Sequence, residues 1–314
     1  MKPTILCIMD GWGISSNAKY NAVTQAKTPI FDQLVRQWPN SLMHASGEHV
    51  GLPEGQMGNS EVGHMNIGAG RVILQDLPRI NQAIQSNKLS KNKVLKDFIS
   101  ATKKSAGKCH LIGLLSDGGV HSHQTHIEAL AKTIASSSVP VVLHGILDGR
   151  DTAPSSALKF IESFLHTANE NISIGSLIGR FYALDRDNRW ERVEKAYNTI
   201  VNGHGEKFKD LTSGIKQQYE LGITDEFINP LISYSFNGIN KGDSLFFANF
   251  RADRARELLS AVVDPTFDSF PRTHLPSFSA KAGLVSYSNH LDRFLNTLFP
   301  AKNLTLFLYN NLPL

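Results

Sequence analysis

The chain has 314 residues, 41% hydrophobic and 19% charged, which is ample apolar material for a core and more length than one compact domain usually takes. A net charge of +4 with no basic tract excludes nucleic-acid and anionic-membrane binding as the main activity, and no apolar stretch approaches the ~20 residues of a membrane span. Cys7 and Cys109 lie inside apolar runs and read as small core residues of a reducing compartment, and the run Ile5 to Met9 is too short for a signal core, so a cytoplasmic protein is expected.

In chain order, the apolar run Thr4 to Met9 leads into Asp10, Gly11 and Gly13, and a helical pattern covers Val23 to Gln37. The segment Ser46 to Gly70 is glycine-rich without a regular period, the mark of a functional loop. Cys109 to Leu115 is followed by SDGGVHSHQTH at 116–126 and a helical pattern from Ile127 to Ala135. Pro140 to Leu147 is followed by DGRDTAP at 148–154 and a helical pattern from Ser155 to His166. Ile172 to Ile178 is followed by GRFYALDRDNRWER at 179–192 and a helical pattern from Arg189 to Val201. Ser244 to Ala248 is followed by NFRADRARELL at 249–259, and a last helical pattern spans Leu291 to Leu298. Continuous rather than alternating apolar runs suit strands covered on both faces, and the interleaved helices imply a parallel α/β architecture. In such sheets ligand-binding residues gather beyond the carboxyl ends of the strands, where every polar cluster above is expected.

Several residues in these clusters carry two readings each. Ser60, in GNSEVGH, is either an N-cap or a nucleophile at a helix N-terminus, whose amides favour a phosphoryl group. Asp10 is either a turn former or a hard carboxylate ligand for a divalent cation. His121, His123 and His126 lack the i, i+4 spacing of a helical zinc site, so one of them is expected on a ligand anion and the others as caps or surface groups. His64 and His110 read as structural. Arg150, Arg180, Arg186, Arg251 and Arg254 all fall in strand-end loops or helix starts, more guanidinium than neighbours such as Asp148, Asp185 and Asp253 neutralise. Guanidinium forks match phosphate and carboxylate, so the pattern predicts a ligand with two anionic ends. Asp151 beside Arg150 is placed either to accept a hydroxyl proton from such a ligand or to cap the following helix.

The strings LPEGQMGNSEVGH, LLSDGGVHSH, GILDGRDTAP, GRFYALDRDNRWERVEKAY and NFRADRAREL, in order from Ile5 to about Thr305, resemble the signature segments of the cofactor-independent phosphoglycerate mutases. The resemblance implies an α/β protein with an alkaline-phosphatase-like domain, only partly present, and an inserted α/β transferase domain. Residues 1–76 are then the N-terminal segment of the phosphatase-type domain, 77–285 the inserted substrate-binding domain, and 286–314 the link back. It further implies Asp10 and Ser60 as ligands of one manganese ion out of two in the complete enzyme, with Ser60 as phosphoryl acceptor. His121, Arg150, Asp151, Arg180, Arg186, Arg251 and Arg254 match the substrate set, with Asp151 moving protons. The implied reaction interconverts 3-phosphoglycerate and 2-phosphoglycerate through phosphoserine in a monomer. The family's remaining Asp and His ligands and a substrate-contacting lysine have no counterpart before Leu314, and the tail Leu306 to Leu314 departs from the family pattern as a frameshift or early stop makes it do. Poor manganese binding and little mutase activity are therefore expected of the chain as written. The alternatives are a residual phosphoglycerate- or glycerate-binding module without catalysis and a metal-dependent phosphohydrolase.

Overall fold

The computed structural model describes residues 5–15 and 17–301; the divergent tail Leu306 to Leu314 lies outside them. The chain divides into two compact units, one holding Met1–Gln75 and the other Asp76–Asn303.

In the first unit the helix expected over 23–37 is two, α1 (Ala22–Gln25) and α2 (Pro29–Gln37). The residue before a proline is disfavoured in helical geometry, and Pro29 is suited to the first helical position, so the chain stops and restarts there. The glycine-rich segment is not a continuous loop. It contains a 3₁₀ turn, Gly47–Val50, and the helix α3 (Ser60–Ala69), ended by Gly70 at φ 65. Gly63 and Gly68 inside α3 blunt its apolar periodicity, which hid it from pattern reading. The first expected strand is absent among the described residues: 5–9 pairs with nothing, Ile5 is 90% exposed, and Cys7 is exposed rather than in a core. A strand exists only where a neighbour meets its backbone N–H and C=O groups, and the described residues of this unit offer none.

The second unit opens with α4 (Asp76–Gln85) and α5 (Lys93–Lys104). It then alternates β1 (Cys109–Leu114), α6 (Gln124–Ala135), β2 (Val141–Leu147), α7 (Ala157–Thr167) and β3 (Ile172–Gly179). The short α8 (Arg180–Ala183), α9 (Trp190–Asn202), β4 (Glu206–Phe208), α10 (Leu211–Glu220) and β5 (Leu231–Ser233) follow. β6 (Ser244–Phe247), α11 (Arg256–Val263), β7 (Ala280–Gly283) and β8 (Asn296–Thr297) complete it. Together the strands make one eight-stranded sheet of order β4-β5-β3-β2-β1-β6-β7-β8. All its pairings are parallel except β3 with β5, so the sheet is mixed rather than wholly parallel. The expected helix over 291–298 is a 3₁₀ turn, Leu291–Arg293, and then β8, because pairing with β7 overrides a short helical pattern. The second unit thus runs on past Val285, burying Tyr287, Leu291, Leu295 and Leu298. Among the described residues no helix is long and apolar enough to cross a membrane.

The fully buried strand faces explain the continuous apolar runs: Leu111, Ile112, Leu143, Leu177, Phe246 and Phe247 are closed off by helical residues such as Ile127, Ile161, Phe164, Ile200 and Leu259. Across this sheet runs a buried polar relay. Asp243 Oδ2 lies 3.0 Å from His110 Nε2, His110 Nδ1 2.9 Å from His144 Nε2, and His144 Nδ1 2.7 Å from Ser176 Oγ. Burial and the neighbouring His110 keep the His144 pKa well below its ordinary value. His126, expected as a cap or surface group, is also buried, with Nε2 2.6 Å from Asn81 Oδ1, and burial with His123 pushes its pKa down to about 3. His123 does cap α6 as expected.

Two measurements test this core. Leu111→Ala, at a fully buried central-strand position, is expected to lower the unfolding free energy by roughly 3 kcal/mol in urea titration. The second concerns pH. A histidine whose folded pKa is depressed contributes stability that is present above its unfolded value and lost as pH falls below it. His126, moved from 6.5 to about 3, should therefore make the urea midpoint fall as pH drops from 6.5 toward 4, with a smaller fall in His126→Gln.

Candidate functional site

β3, β2, β1 and β6 are adjacent and parallel, so their carboxyl ends open on one side. The chain steps outward from β1 to β2 and β3, then returns to the other side of β1 as β6. That reversal leaves a crevice at the strand ends where such sheets bind ligands. Backbone bonds tie the loops across it: the Phe250 N–H donates to the His121 carbonyl at 2.8 Å, and Leu114 N–H donates to Asn249 Oδ1 at 2.9 Å.

Into this crevice the structure brings all seven substrate-set residues named above. Arg180, first residue after β3 and only 3% exposed, donates from Nη1 to Asp148 Oδ1 and to Asp151 Oδ2, each at 2.6 Å. Asp151 is thus a partner of Arg180 and not a helix cap. Asp148 is held further by Ser116 Oγ at 2.6 Å and by the Asp151 N–H at 3.0 Å. Burial works to raise the Asp148 pKa, but Ser116, the Asp151 amide and Arg180 together bring it below the ordinary 3.8. A Cβ on Gly118 would stand 2.9 Å from the Asp151 Cβ, so only glycine lets the loop after β1 lie against the loop after β2. Gly149, at φ 68, does the same for the 225–226 segment, which carries Glu226 to 3.6 Å from Arg150.

Asp253 sits between Arg186 Nη1 at 2.8 Å and Arg251 Nε at 3.0 Å. His121, 4% exposed, has Nε2 4.0 Å from Asp151 and Nδ1 3.8 Å from Asp253, both beyond hydrogen-bond reach. Burial, then the charges of Arg180 and Arg251, push its pKa down to about 4, so His121 is a neutral imidazole at physiological pH. Among the described residues Arg254 has no carboxylate within 4.0 Å, and it donates to the Leu184 carbonyl at 2.9 Å. Burial and the guanidiniums of Arg186, Arg180 and Arg150 lower its pKa, the signature of a crowded cation.

The charge balance differs from the sequence expectation. Asp151 and Glu226 join Asp148 and Asp253, so four carboxylates face five guanidiniums. Asp185, expected among the neutralising acids, instead accepts from the Asp187 and Arg189 amides and pairs with Arg192 at 3.2 Å. The surplus is one positive charge, located at Arg254, together with donors on Arg150, Arg186 and Arg251, whose side chains are about half exposed. Sequence reading missed Glu226, which lies 76 positions from Arg150 and has no local signal. It also missed Asn249, whose strand-end position was the available hint. A separate cavity of about 330 Å³ at the amino ends of the strands is lined by Lys108, Phe236, Asn237 and the relay groups His110 and Asp243, whose polar atoms are already paired.

In the first unit, Asn59 and not Ser60 caps α3, accepting from the Val62 N–H at 3.0 Å. Ser60 is freed from that role. Its hydroxyl donates to Asp10 Oδ2 at 2.6 Å, and His64 Nδ1 lies 3.2 Å from the Ser60 Oγ itself. His64, read as structural, stands one helical turn on from Ser60, a spacing visible in the sequence. Divalent cations such as Mn²⁺ need more than two oxygens, and among the described residues no group of three or more His, Cys, Asp or Glu is arranged for a metal. The described residues therefore do not fit a complete metal site.

The contrast between two arginines is testable. Arg180→Ala strands the buried Asp148 and should cost roughly 3 kcal/mol of stability. Arg254→Ala removes a crowded cation and should leave the thermal midpoint unchanged or raised. Equal losses in melting experiments on the two variants would contradict this charge map.

The family described as BPG-independent PGAM N-terminus (iPGM_N) matches residues 80–289. The 2,3-bisphosphoglycerate-independent phosphoglycerate mutase of Dinoroseobacter shibae is 48% identical over 303 residues, covering 96% of this chain and 60% of that protein. The protein of the same name from Rhodopseudomonas palustris is also 48% identical with the same coverage. A crystal structure of Leishmania mexicana phosphoglycerate mutase, obtained at low cobalt concentration, superimposes with a TM-score of 0.73 at 33% identity, over 96% of this chain and 58% of that one. The chain thus spans about 60% of the length of the curated relatives it matches. With more than half its residues matched by the family and the sheet-end arginines in the matched stretch, the chain belongs to the BPG-independent phosphoglycerate mutase N-terminal family.

Proposed function

We propose that the enzyme to which this chain belongs interconverts 3-phosphoglycerate and 2-phosphoglycerate, and that the second unit holds the glycerate moiety. The carrying observation is the guanidinium cluster of Arg150, Arg180, Arg186, Arg251 and Arg254, with Arg254 lacking a carboxylate partner among the described residues. A small acid with a carboxylate at one end and a phosphate at the other supplies that charge and takes up the remaining fork donors. Arg180, whose Nη1 is taken by Asp148 and Asp151, fixes those acids in place. Asp151 then exchanges protons with the glycerate hydroxyls, and neutral His121 offers a hydrogen bond without adding charge. Holding glycerate between two phosphoryl transfers makes the return transfer effectively intramolecular.

Ser60 is the proposed phosphoryl acceptor, with Asp10 accepting its hydroxyl proton in the described geometry. Mn²⁺ is the proposed cofactor of the whole enzyme, to which Asp10 and Ser60 contribute two donors. We assign residues 1–76 to an alkaline-phosphatase-like domain, 77–285 to the inserted substrate domain and 286–314 to the return segment. A cytoplasmic monomer acting on a small molecule, without nucleic acid or membrane partners, completes the reading. Because two donors do not hold a metal, a second reading stands beside it: these residues alone bind phosphoglycerate without turning it over.

Calorimetric titration with 3-phosphoglycerate, with and without Mn²⁺, and an enolase-coupled assay separate the possibilities. Micromolar-to-millimolar binding that weakens at least tenfold in Arg254→Ala is expected. Binding independent of metal and without turnover favours the module, turnover favours the mutase, and phosphate release without isomerisation favours hydrolysis. Absence of binding in any condition rejects the glycerate assignment.

A further inference from the structure

Behind the arginine cluster lies a pair of acids that the proposed reaction does not use. Asp185 and Glu257 are both buried, 4% and 8% exposed, and lie beside each other, since Glu257 accepts the Asn188 N–H between the Asp187 and Arg189 N–H groups that Asp185 accepts. Asp185 is well supplied with other donors: the Asp187 N–H at 2.9 Å, the Arg189 N–H at 3.0 Å and Arg192 Nη1 at 3.2 Å. Glu257 receives one, the Asn188 N–H at 3.0 Å on Oε1, and its Oε2 is buried with no donor in reach among the described residues. A bare carboxylate oxygen in that position is costly, whereas a carboxylic acid O–H directed at Asp185 satisfies both groups.

The charged side chains facing Glu257 are Asp185 and Asp187 from the 184–189 loop, with Arg192 of α9 reaching it through Asp185. On its own helix, Arg256 is turned to the Tyr287 carbonyl at 2.8 Å. Burial first, then the charges of Asp185 and Asp187, raise the Glu257 pKa above its ordinary 4.5, while Asp185 is lowered because its amide donors, Glu257 and Arg192 outweigh burial. A proton taken up by this pair therefore sits on Glu257 rather than on Asp185.

The location makes this consequential. The 184–189 loop carries Arg186, and its Asn188 turns the chain at φ 56, in the left-handed region that asparagine enters more readily than other side chains. The segment 251–257 carries Arg251 and Arg254. The two meet at two points, Arg254 on the Leu184 carbonyl and Glu257 on Asn188 and Asp185.

We propose that Glu257 is a positioning residue: as a carboxylic acid it donates to Asp185 and accepts from Asn188, clamping the Arg186 loop to the segment that bears Arg251 and Arg254. Its role in ligand binding rests on the phosphoglycerate reading above, but the clamp itself does not. Glu257→Gln reproduces both bonds at every pH, its amide oxygen accepting from Asn188 and its NH₂ donating to Asp185. Glu257→Ala removes both. In the wild type the acid is present at low pH and lost as pH rises through a value above 4.5.

Two readouts on the full chain test it. The first is ¹³C NMR of the side-chain carboxyls, with the Glu257 signal identified by its absence from Glu257→Gln, together with hydrogen exchange at the Asn188 amide. The Glu257 signal should titrate above 4.5, and Asn188 protection should survive in Glu257→Gln and vanish in Glu257→Ala. The second is the 3-phosphoglycerate Kd across pH, taken as the ratio of wild type to Glu257→Gln so that the ligand's own ionisation cancels. That ratio should be near one at the acid end and rise about threefold to tenfold above the transition, an effect of the size of one hydrogen bond. A carboxyl titrating at or below 4.5 overturns the clamp, and a ratio flat with pH overturns its role in binding. If no variant binds 3-phosphoglycerate, the substrate reading falls while the NMR arm still decides the clamp. If Glu257→Ala fails to fold, the wild type and Glu257→Gln carry the comparison.

Discussion

A guanidinium buried to 3% exposure stays charged at tolerable cost only when carboxylates meet it, and Arg180 meets two at 2.6 Å. This grip organises the end of the sheet. Arg180 leaves β3, Asp148 and Asp151 leave β2, and Ser116, which holds Asp148, leaves β1. Three neighbouring strands are therefore locked at their carboxyl ends through one buried cation, and the loops that follow them inherit fixed starting points. Gly118 permits the close approach that the grip needs, since any side chain there would strike Asp151.

With Asp148 and Asp151 both taken up by Arg180, the remaining guanidiniums face a limited supply of acids. Asp253 serves Arg186 and Arg251 together, Glu226 reaches Arg150 only at 3.6 Å, and Arg254 makes do with a backbone carbonyl. The side chains of the crevice are thus nearly neutral overall yet unevenly so, with the deficit of negative charge concentrated where the guanidiniums crowd most. His121 sits within this field as a neutral ring, because burial and two nearby arginines oppose its protonation. An arrangement of this kind favours a small anion that can take up several fork donors at once over a large polyanion, which needs an open basic face.

The first unit poses a different physical problem. Its Ser60 hydroxyl is within hydrogen-bonding range of both Asp10 and His64, but on a unit with little buried surface and without a complete metal-ligand set among the described residues. The chain spans about 60% of the length of its curated relatives.

Residue order alone was enough to locate the four central strands, since unbroken apolar runs such as Cys109 to Leu115 have no stable home except between two helical layers. It was also enough to place Asp148, Arg150, Asp151, Arg180, Arg251 and Arg254 at the ends of those strands, because polar residues that directly follow a buried strand emerge at its edge. Short or partner-dependent elements were not legible. β8 exists because β7 offers it backbone partners, and the run at 5–9 forms no strand because the described residues of its unit offer none. Nor could the charge pairing be read in advance. Glu226 reaches Arg150, and Asp185 withdraws to Arg192 and Glu257, only because loops distant in sequence are brought within a few ångströms, and electrostatic energy depends on distance in space, not along the chain.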